Sequence, residues 1–396
     1  MDGRLKIQIA GITDVGQKRS HNEDTFFCGT VWDDNHVLAI VIDGCGGHKG
    51  GAEAARLTQV GMLQYLNGQV PGDSGLLLKK ALVHANNLVH GRRKEVRSLC
   101  EMCCVATAVI VDLDTRTLHM VHVGDTRLYA SYDGRIIKLS HDHSPIGREE
   151  EMGIFTEIQA MNHPCRNIIE RAVGLRELDD DTSYIEQGRF TIAAGLTWLL
   201  CSDGLSDMCT SAQISDILRE DRPLPQIAWQ LVEAANEEGG KDNITVAILR
   251  AEGKAPSDAP EVMNSYARML DPQWKPDIRP VKRQKMRPEC GATPQLTPIE
   301  GQEVCKEEAS FKHIEAIVKP ARHKTGLSTR KIVGYVLFWL LLAVALVFGI
   351  RTYQVQKQRR IEEEKRQIRQ EIFHRNLYYN IDNIIRPKQQ AEQPSK

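Results

Sequence analysis

Four stretches of the chain are apolar almost without interruption: HVLAIVI at 36–42, TAVIVDL at 107–113, TLHMVHV at 117–123 and NITVAIL at 243–249. Each has the length and composition of a core strand. Helix-like runs alternate with them, so residues 1–250 read as one folded domain. Beyond 250 the pattern collapses. Nine of the chain's 16 prolines fall between 251 and 330, interleaved with charge as in KPDIRPVKRQKMRPE, which predicts a disordered linker. The segment IVGYVLFWLLLAVALVFGI at 332–350 then carries 19 residues without a charge. At ~1.5 Å per residue such a helix spans roughly the 30 Å hydrocarbon core of a bilayer, so 331–350 is predicted to be a single transmembrane helix. A charged, helix-like tail, 351–396, completes the chain.

What punctuates the strands is more informative than the strands. The run at 36–42 ends in Asp43, and five glycines follow within the next eight residues. Glycine at that density lets backbone approach something closely. Acidic residues recur at the other strand ends: Asp125 after Gly124, Asp203 directly after TWLLCS, and Asp242 just before ITVAIL. The segment GQKRSHNEDTF adds Arg19, Glu23 and Asp24. Repetition of this kind points to convergence on one site.

Carboxylate oxygens, backbone carbonyls and water are hard ligands that suit Mn²⁺ or Mg²⁺, whereas zinc would want histidine or thiolate at recognisable spacing. Several carboxylates packed without cations would repel one another and rise in pKa, so two divalent ions answer an electrostatic problem as well as a chemical one. Two such ions activate water for attack on phosphorus. A guanidinium at Arg19 would match two phosphate oxygens. Hydrolysis of a phosphomonoester is the chemistry these residue types imply.

Composition narrows the setting. A net charge of -1 and a pI near 6.9 provide no global field for nucleic acid, so no nucleic-acid partner is expected. The ten cysteines form no regular disulfide framework, and MDGRLKIQIAG holds no apolar signal core; a reducing, cytoplasmic setting is expected for the folded domain. The cluster CEMCC at 100–104 lacks a second half for a zinc site and reads as part of a core strand. Cys28, Cys45, Cys201 and Cys209 read as core or near-site thiols.

Taken in order, RSHNED at 19–24, DGCGGH at 43–48, GDTR at 124–127, DHS at 142–144, HPCRN at 163–167 with RAVG at 171–174, SDGL at 202–205 and DN at 242–243 resemble the motifs of the metal-dependent protein phosphatase family, protein phosphatase 2C type, and its bacterial branch in particular. The resemblance covers about 8–250. It implies an α+β fold, a four-layer α-β-β-α sandwich of two antiparallel sheets flanked by helices, and removal of phosphate from phosphoserine and phosphothreonine in proteins. It also implies two tightly held Mn²⁺ or Mg²⁺ ions and a weaker third. On this resemblance Asp43 bridges both metals, Gly44 is a ligand through its carbonyl, and Asp203 and Asp242 complete the metal site. Glu23 is an outer acid acting through water, Asp24 orients its neighbours, Asp125 joins Asp203 at the third ion, and 144–164 is a mobile flap. Cys45 stands where relatives carry histidine or methionine, which leaves the general acid unassigned. His48 matches the motif and is read as bracing the turn.

Two other readings compete. A membrane-tethered pseudophosphatase would bind phosphoproteins without turnover, but it could discard Asp43, Asp203 and Asp242, and all three remain. A phosphatase for a small metabolite would not need the tether and span, which fit action on phosphoproteins near a membrane serine/threonine kinase. Orientation is not set by positive charge, since six Lys/Arg lie within about 20 residues before the span and seven after it. The folded domain is expected on the cytoplasmic side of a single-pass protein.

Overall fold

Alternate residues of the strand Asp33–Cys45 (β3) serve two different cores. Val37, Ala39 and Val41 pack on one side and Leu38, Ile40 and Ile42 on the other, and both sets are buried. Successive strand residues face opposite sides of a sheet, so this strand has to be covered twice. Its first set meets Leu128, Trp198, Leu200 and Leu249 of a second sheet. The other set meets Ala55, Met62, Leu82 and Val89, which belong to the helices Gly50–Asn67 (α1) and Ser74–Glu95 (α2). This double cover is why the run shows no polar alternation.

The computed structural model describes residues 5–45, 50–253, 258–270 and Gln356. One sheet joins Lys6–Asp14 (β1), Ile244–Glu252 (β10), Thr197–Cys201 (β9), Arg127–Tyr132 (β6) and Arg135–Lys138 (β7) in that spatial order. In the other, Thr25–Val31 (β2), β3, Cys103–Asp112 (β4), Thr117–Val123 (β5) and Glu186–Thr191 (β8) lie side by side. Every strand pair is antiparallel. The helices Ser211–Leu218 (α6) and Leu224–Glu237 (α7) cover the outer face of the first sheet, where Ile227 and Leu231 pack with Val246 and Ile248. The expected four-layer sandwich is therefore observed, and all four expected strands are present.

Pairing register decides where the strand ends fall. Thr25 opposes Ile42, Ala106 opposes Val123, and Cys201 opposes both Val246 and Arg127. In consequence the starts of β2, β4, β6 and β10 and the ends of β3, β5 and β9 share one edge of the sandwich. Between β7 and β8 the chain forms two short helices, Pro145–Glu151 (α3) and Glu157–Met161 (α4), within the segment expected to be a flap. Asp203–Ser206 (α5) leaves directly from β9.

The chain divides into the units Met1–Asp277 and Ile278–Lys396. Packing extends past the boundary expected at 250: β10 runs to Glu252, and Ala259–Leu270 (α8) buries Ala259, Val262, Met263 and Tyr266 in the core between the sheets. Among the described residues no helix is long and apolar enough to cross a membrane. The span expected at 331–350 lies outside the described residues, as do most of the linker, the tail apart from Gln356, and His48.

Tyr266 fixes α8 to the domain. Its ring meets Phe190 edge-on at 5.4 Å between centroids, and its hydroxyl donates to the Thr191 carbonyl. Tyr266→Ala should lower unfolding free energy by about 3–5 kcal/mol, and Tyr266→Phe by about 1 kcal/mol. Urea midpoints at constant slope measure both, and equal midpoints for wild type and Tyr266→Ala would mean that α8 adds nothing to the core.

Candidate metal centre

The shared edge gathers the acidic residues because each lies at a strand end. Asp43 is near the end of β3, and Glu23 and Asp24 immediately precede β2, its neighbour. Asp203 follows β9, Asp242 precedes β10, and Asp125 lies between β5 and β6. The glycines allow the segments to close on one another. A Cβ on Gly44 would stand 2.3 Å from the Gly51 carbonyl oxygen and 2.6 Å from that of Glu23. Gly16 has φ +76°, and a Cβ there would stand 2.1 Å from the Asp242 carbonyl oxygen. No larger residue fits either place, and Gly51 is held as closely: a Cβ there would stand 2.6 Å from the Gly44 carbonyl oxygen.

Neutral side chains brace the acids. The Oδ1 of Asn243 accepts from the Glu23 backbone N–H at 2.8 Å, while its Nδ2 donates to the carbonyls of Val15 (3.0 Å) and His21 (2.9 Å). Thr245 Oγ1 donates to Asp24 Oδ2 at 2.6 Å and is itself 2.7 Å from Thr13 Oγ1. Asp24, expected to orient its neighbours, is thus held by Thr245.

Electrostatically the cluster is unsatisfied. Burial first, then the charges of Asp24, Asp203, Asp125 and Asp242, push Asp43 well above the ordinary carboxylate range. Burial raises Asp24 to about 6. Asp125 rises to about 7 through burial and then Asp203, and Asp203 to about 7 through burial and then Asp207. Glu23 Oε1, Asp24 Oδ1 and Asp203 Oδ1 are buried with no hydrogen-bond donor. Buried carboxylate oxygens without donors, raised by one another's charge, fit hard divalent cations. Among the described residues two other clusters bring three ligand atoms within 4.8 Å, His122–His143–Glu186 and His36–Asp112–Asp114. The first is committed elsewhere: His122 is bonded to Thr107 Oγ1 and to the carbonyls of Gly124 and His141, and His143 Nδ1 accepts from the Gly124 N–H.

Asp125 has a partner that sequence reasoning missed. Arg166, buried between the acids, has Nη1 3.3 Å from Asp125 Oδ2 and Nε 2.9 Å from Asp207 Oδ1. Asp207 was legible as a neighbour of Asp203, being one helical turn further on in SDGLSD, and Arg166 lies in the HPCRN motif. Arg19 reaches the rim, its Nη2 2.7 Å from Asp242 Oδ2 and its side chain half exposed. A cavity of about 320 Å³ opens there, lined by Arg19, Lys241, Arg166, Asp203, Asp207 and Asp242 together with 161–164 and Asn167. Cations at its mouth and carboxylates in its wall suit a phosphorylated ligand. Asp142 secures the adjoining flap. Burial alone would raise it, but Arg127, Lys138 and Arg166 together hold it below the usual carboxylate range, and Arg127 also reaches Glu150 of α3 at 2.8 Å.

Comparison with known proteins agrees with this geometry. A family model described as protein phosphatase 2C matches residues 15–247. The serine/threonine phosphatase stp of Listeria welshimeri is 31% identical over 251 residues, covering 60% of this chain and 93% of that one. The serine/threonine protein phosphatase PstP of Mycobacterium tuberculosis is 32% identical over 247 residues, which is 62% of this chain and 45% of PstP. A crystal structure of the PstP catalytic domain in complex with two manganese ions superposes with a TM-score of 0.54 at 27% identity, covering 63% of this chain and 99% of that domain.

The raised carboxylates make stability depend on pH in a definite sense. A group with a raised folded pKa contributes stability that is fully present below its unfolded value, near 4, and is lost as pH rises through its folded value, here about 6 to 7. With chelator present, the protein should therefore lose thermal stability between about pH 4 and about pH 7. Asp203→Asn, which lacks one of the repelling charges, should melt several degrees above wild type at about pH 8 in chelator, with the gap closing near pH 4. Thermal melts across pH check this, and a wild type that is the more stable at the higher pH would overturn it.

Proposed function

Because the chain belongs to the protein phosphatase 2C family, we infer that it is a metal-dependent protein serine/threonine phosphatase acting on phosphoserine and phosphothreonine. The observation that carries this reading is the meeting of Asp43, Asp203 and Asp242 at one edge, with donorless buried oxygens below a cationic rim. Asp43, the Gly44 carbonyl, Asp203 and Asp242 would hold Mn²⁺ or Mg²⁺, with Glu23 acting through water. The two manganese ions in the PstP catalytic domain support this assignment. When bound, the metal supplies Lewis acidity and activates water for attack on phosphorus.

The chain's own residues do the rest. Arg19 presents a guanidinium whose fork matches two phosphate oxygens, and it reaches the pocket from a loop fixed by Gln17 N–H to Gly240 carbonyl, 2.8 Å. Asn243 and Thr245 hold Glu23 and Asp24 in place, so the acids are set before substrate arrives. Met152, Ile154 and Ile158, around α3 and α4, are exposed and offer apolar contact to a polypeptide. Such a surface suits a protein substrate better than a small polar metabolite.

The further proposal is a membrane setting. The uncharged run at 332–350 is long enough to span a bilayer, which would tether the phosphatase domain at the cytoplasmic face to oppose a membrane serine/threonine kinase. Alkaline-phosphatase and fluorescent-protein fusions at Lys396 read the orientation, and cytoplasmic fluorescence from the second would reverse it.

Asp203→Asn should lower turnover of a phosphothreonine peptide with Mn²⁺ by on the order of a hundredfold or more. Comparable turnover, or full wild-type activity in chelator, would sink the reading. Asp43→Ala should abolish tight Mn²⁺ binding, whereas Asp125→Ala should retain both tight ions and lose turnover on protein substrates. Calorimetric titrations showing the same loss in both variants would contradict this division.

A further inference from the structure

Cys45 and Cys103 face each other on the last rung of the β3–β4 ladder. Directly opposed residues of an antiparallel pair point to the same face with Cα atoms about 4.5–5.5 Å apart, within the range a disulfide spans. The Cys45 thiol points to the Asp43 carbonyl oxygen, 4.0 Å away, and each thiol feels the other. Cys104 is excluded from this pairing: it opposes Gly44, turns to the other face and lies 3.1 Å from Thr58 Oγ1 in the helix-covered core. Both paired cysteines are half-buried rather than sealed, Cys45 the last residue of β3 and Cys103 the first of β4. Period-two alternation also places Cys45 on the same face as Asp43.

From this geometry we propose that Cys45 and Cys103 form a reversible disulfide that weakens the metal centre. The oxidant is hydrogen peroxide. The Cys103 sulfur attacks a peroxide oxygen, so an S–O bond forms as the O–O bond breaks, and water leaves with the thiol proton. The Cys45 sulfur then attacks the sulfenic acid, an S–S bond forms as the S–O bond breaks, and a second water leaves. Two electrons pass from the two thiols to the peroxide. A dithiol restores the pair by exchange. Cys103 is the attacking group: the neighbouring Cys45 thiol holds its thiol below the ordinary value, burial opposes this, and the Arg93 charge adds to the lowering. Arg93 Nη1 is itself buried without a hydrogen-bond acceptor.

Closing the bond draws the two sulfurs to about 2.05 Å. The movement falls on the Cys45 backbone and hence on the peptide that begins at Gly44. That peptide has no slack, being packed against Gly51 and Glu23 so closely that a Cβ could not be added. The Gly44 carbonyl and Asp43 must then shift.

Only this consequence rests on the metal-dependent reading; the crosslink does not. The test uses the full chain, reduced and stripped of metal, treated with hydrogen peroxide, quenched with catalase and digested under non-reducing conditions. The Cys45 and Cys103 peptides should be joined with loss of two hydrogens, Mn²⁺ affinity by calorimetry should fall about tenfold, and dithiothreitol should restore it. Cys103→Ser should keep reduced-state affinity and activity and show neither change on oxidation. A wild-type map without the 45–103 link overturns the proposal, whether or not the variant folds. So does a Cys45 crosslink that persists in Cys103→Ser, or a crosslinked wild type that binds Mn²⁺ as the reduced chain does.

Discussion

Mutual repulsion among buried carboxylates is the constraint around which this fold is arranged. Asp24 and Asp125 are buried, Asp43 and Asp203 half-buried, and Asp43 is raised by the charges of the other three, a set for which a sandwich of ordinary stability has little margin. Antiparallel register brings them together, since the ends of β3, β5 and β9 and the starts of β2 and β10 fall on one edge with the acids beside them. Covered on both faces, the strands are held rigidly enough that the acids cannot spread apart. The glycines at 16, 44 and 51 remove the side chains that would keep the loops from closing. Rigidity and crowding together form a site whose resting state calls for positive charge.

Much of this was legible because it is local. A seven-residue apolar run followed by an acid and glycines is a pattern of neighbours, so Asp43, Asp203 and Asp242 stood out before any tertiary contact was known. The bracing residues did not, because their work is non-local: Thr245 meets Asp24 across 221 positions and Asn243 meets Glu23 across 220. Arg166 and Asp207 lay inside recognised motifs, yet only the folded chain shows that a single guanidinium joins Asp125 to Asp207.

Helix α8 was hidden for another reason. Ala259, Val262, Met263, Tyr266 and Leu270 repeat at helical spacing, and all but Leu270 are buried, with Leu270 packed partly against the same core. Averaging composition over 251–330 diluted this short signal in the prolines and charges that follow it. Periodicity in a window of a dozen residues locates the end of the packed unit better than composition over eighty, because burial depends on which residues share a face.

Two buried arginines divide the acidic residues into two classes. Arg127 lies in β6 with Asp142, Glu150 and the Tyr129 hydroxyl around it, so its charge is spent within the protein in locking the flap to the sheet. Arg166 is shared by Asp125 and Asp207, and these two acids are also supplied with a counter-charge by the chain itself. Among the described residues Asp43 and Asp24 have no comparable partner: what reaches them is the charge of other acids and, at Asp24, hydrogen bonds from neutral hydroxyls. Asp203 stands between the classes, feeling Arg166 but lying beside Asp207 and Asp242. A cation from solution therefore gains most at Asp43 and Asp203 and least at Asp125, where it must compete with a guanidinium already in place. On the proposed metal assignment, tight and weak positions would follow from where the protein places its own arginines.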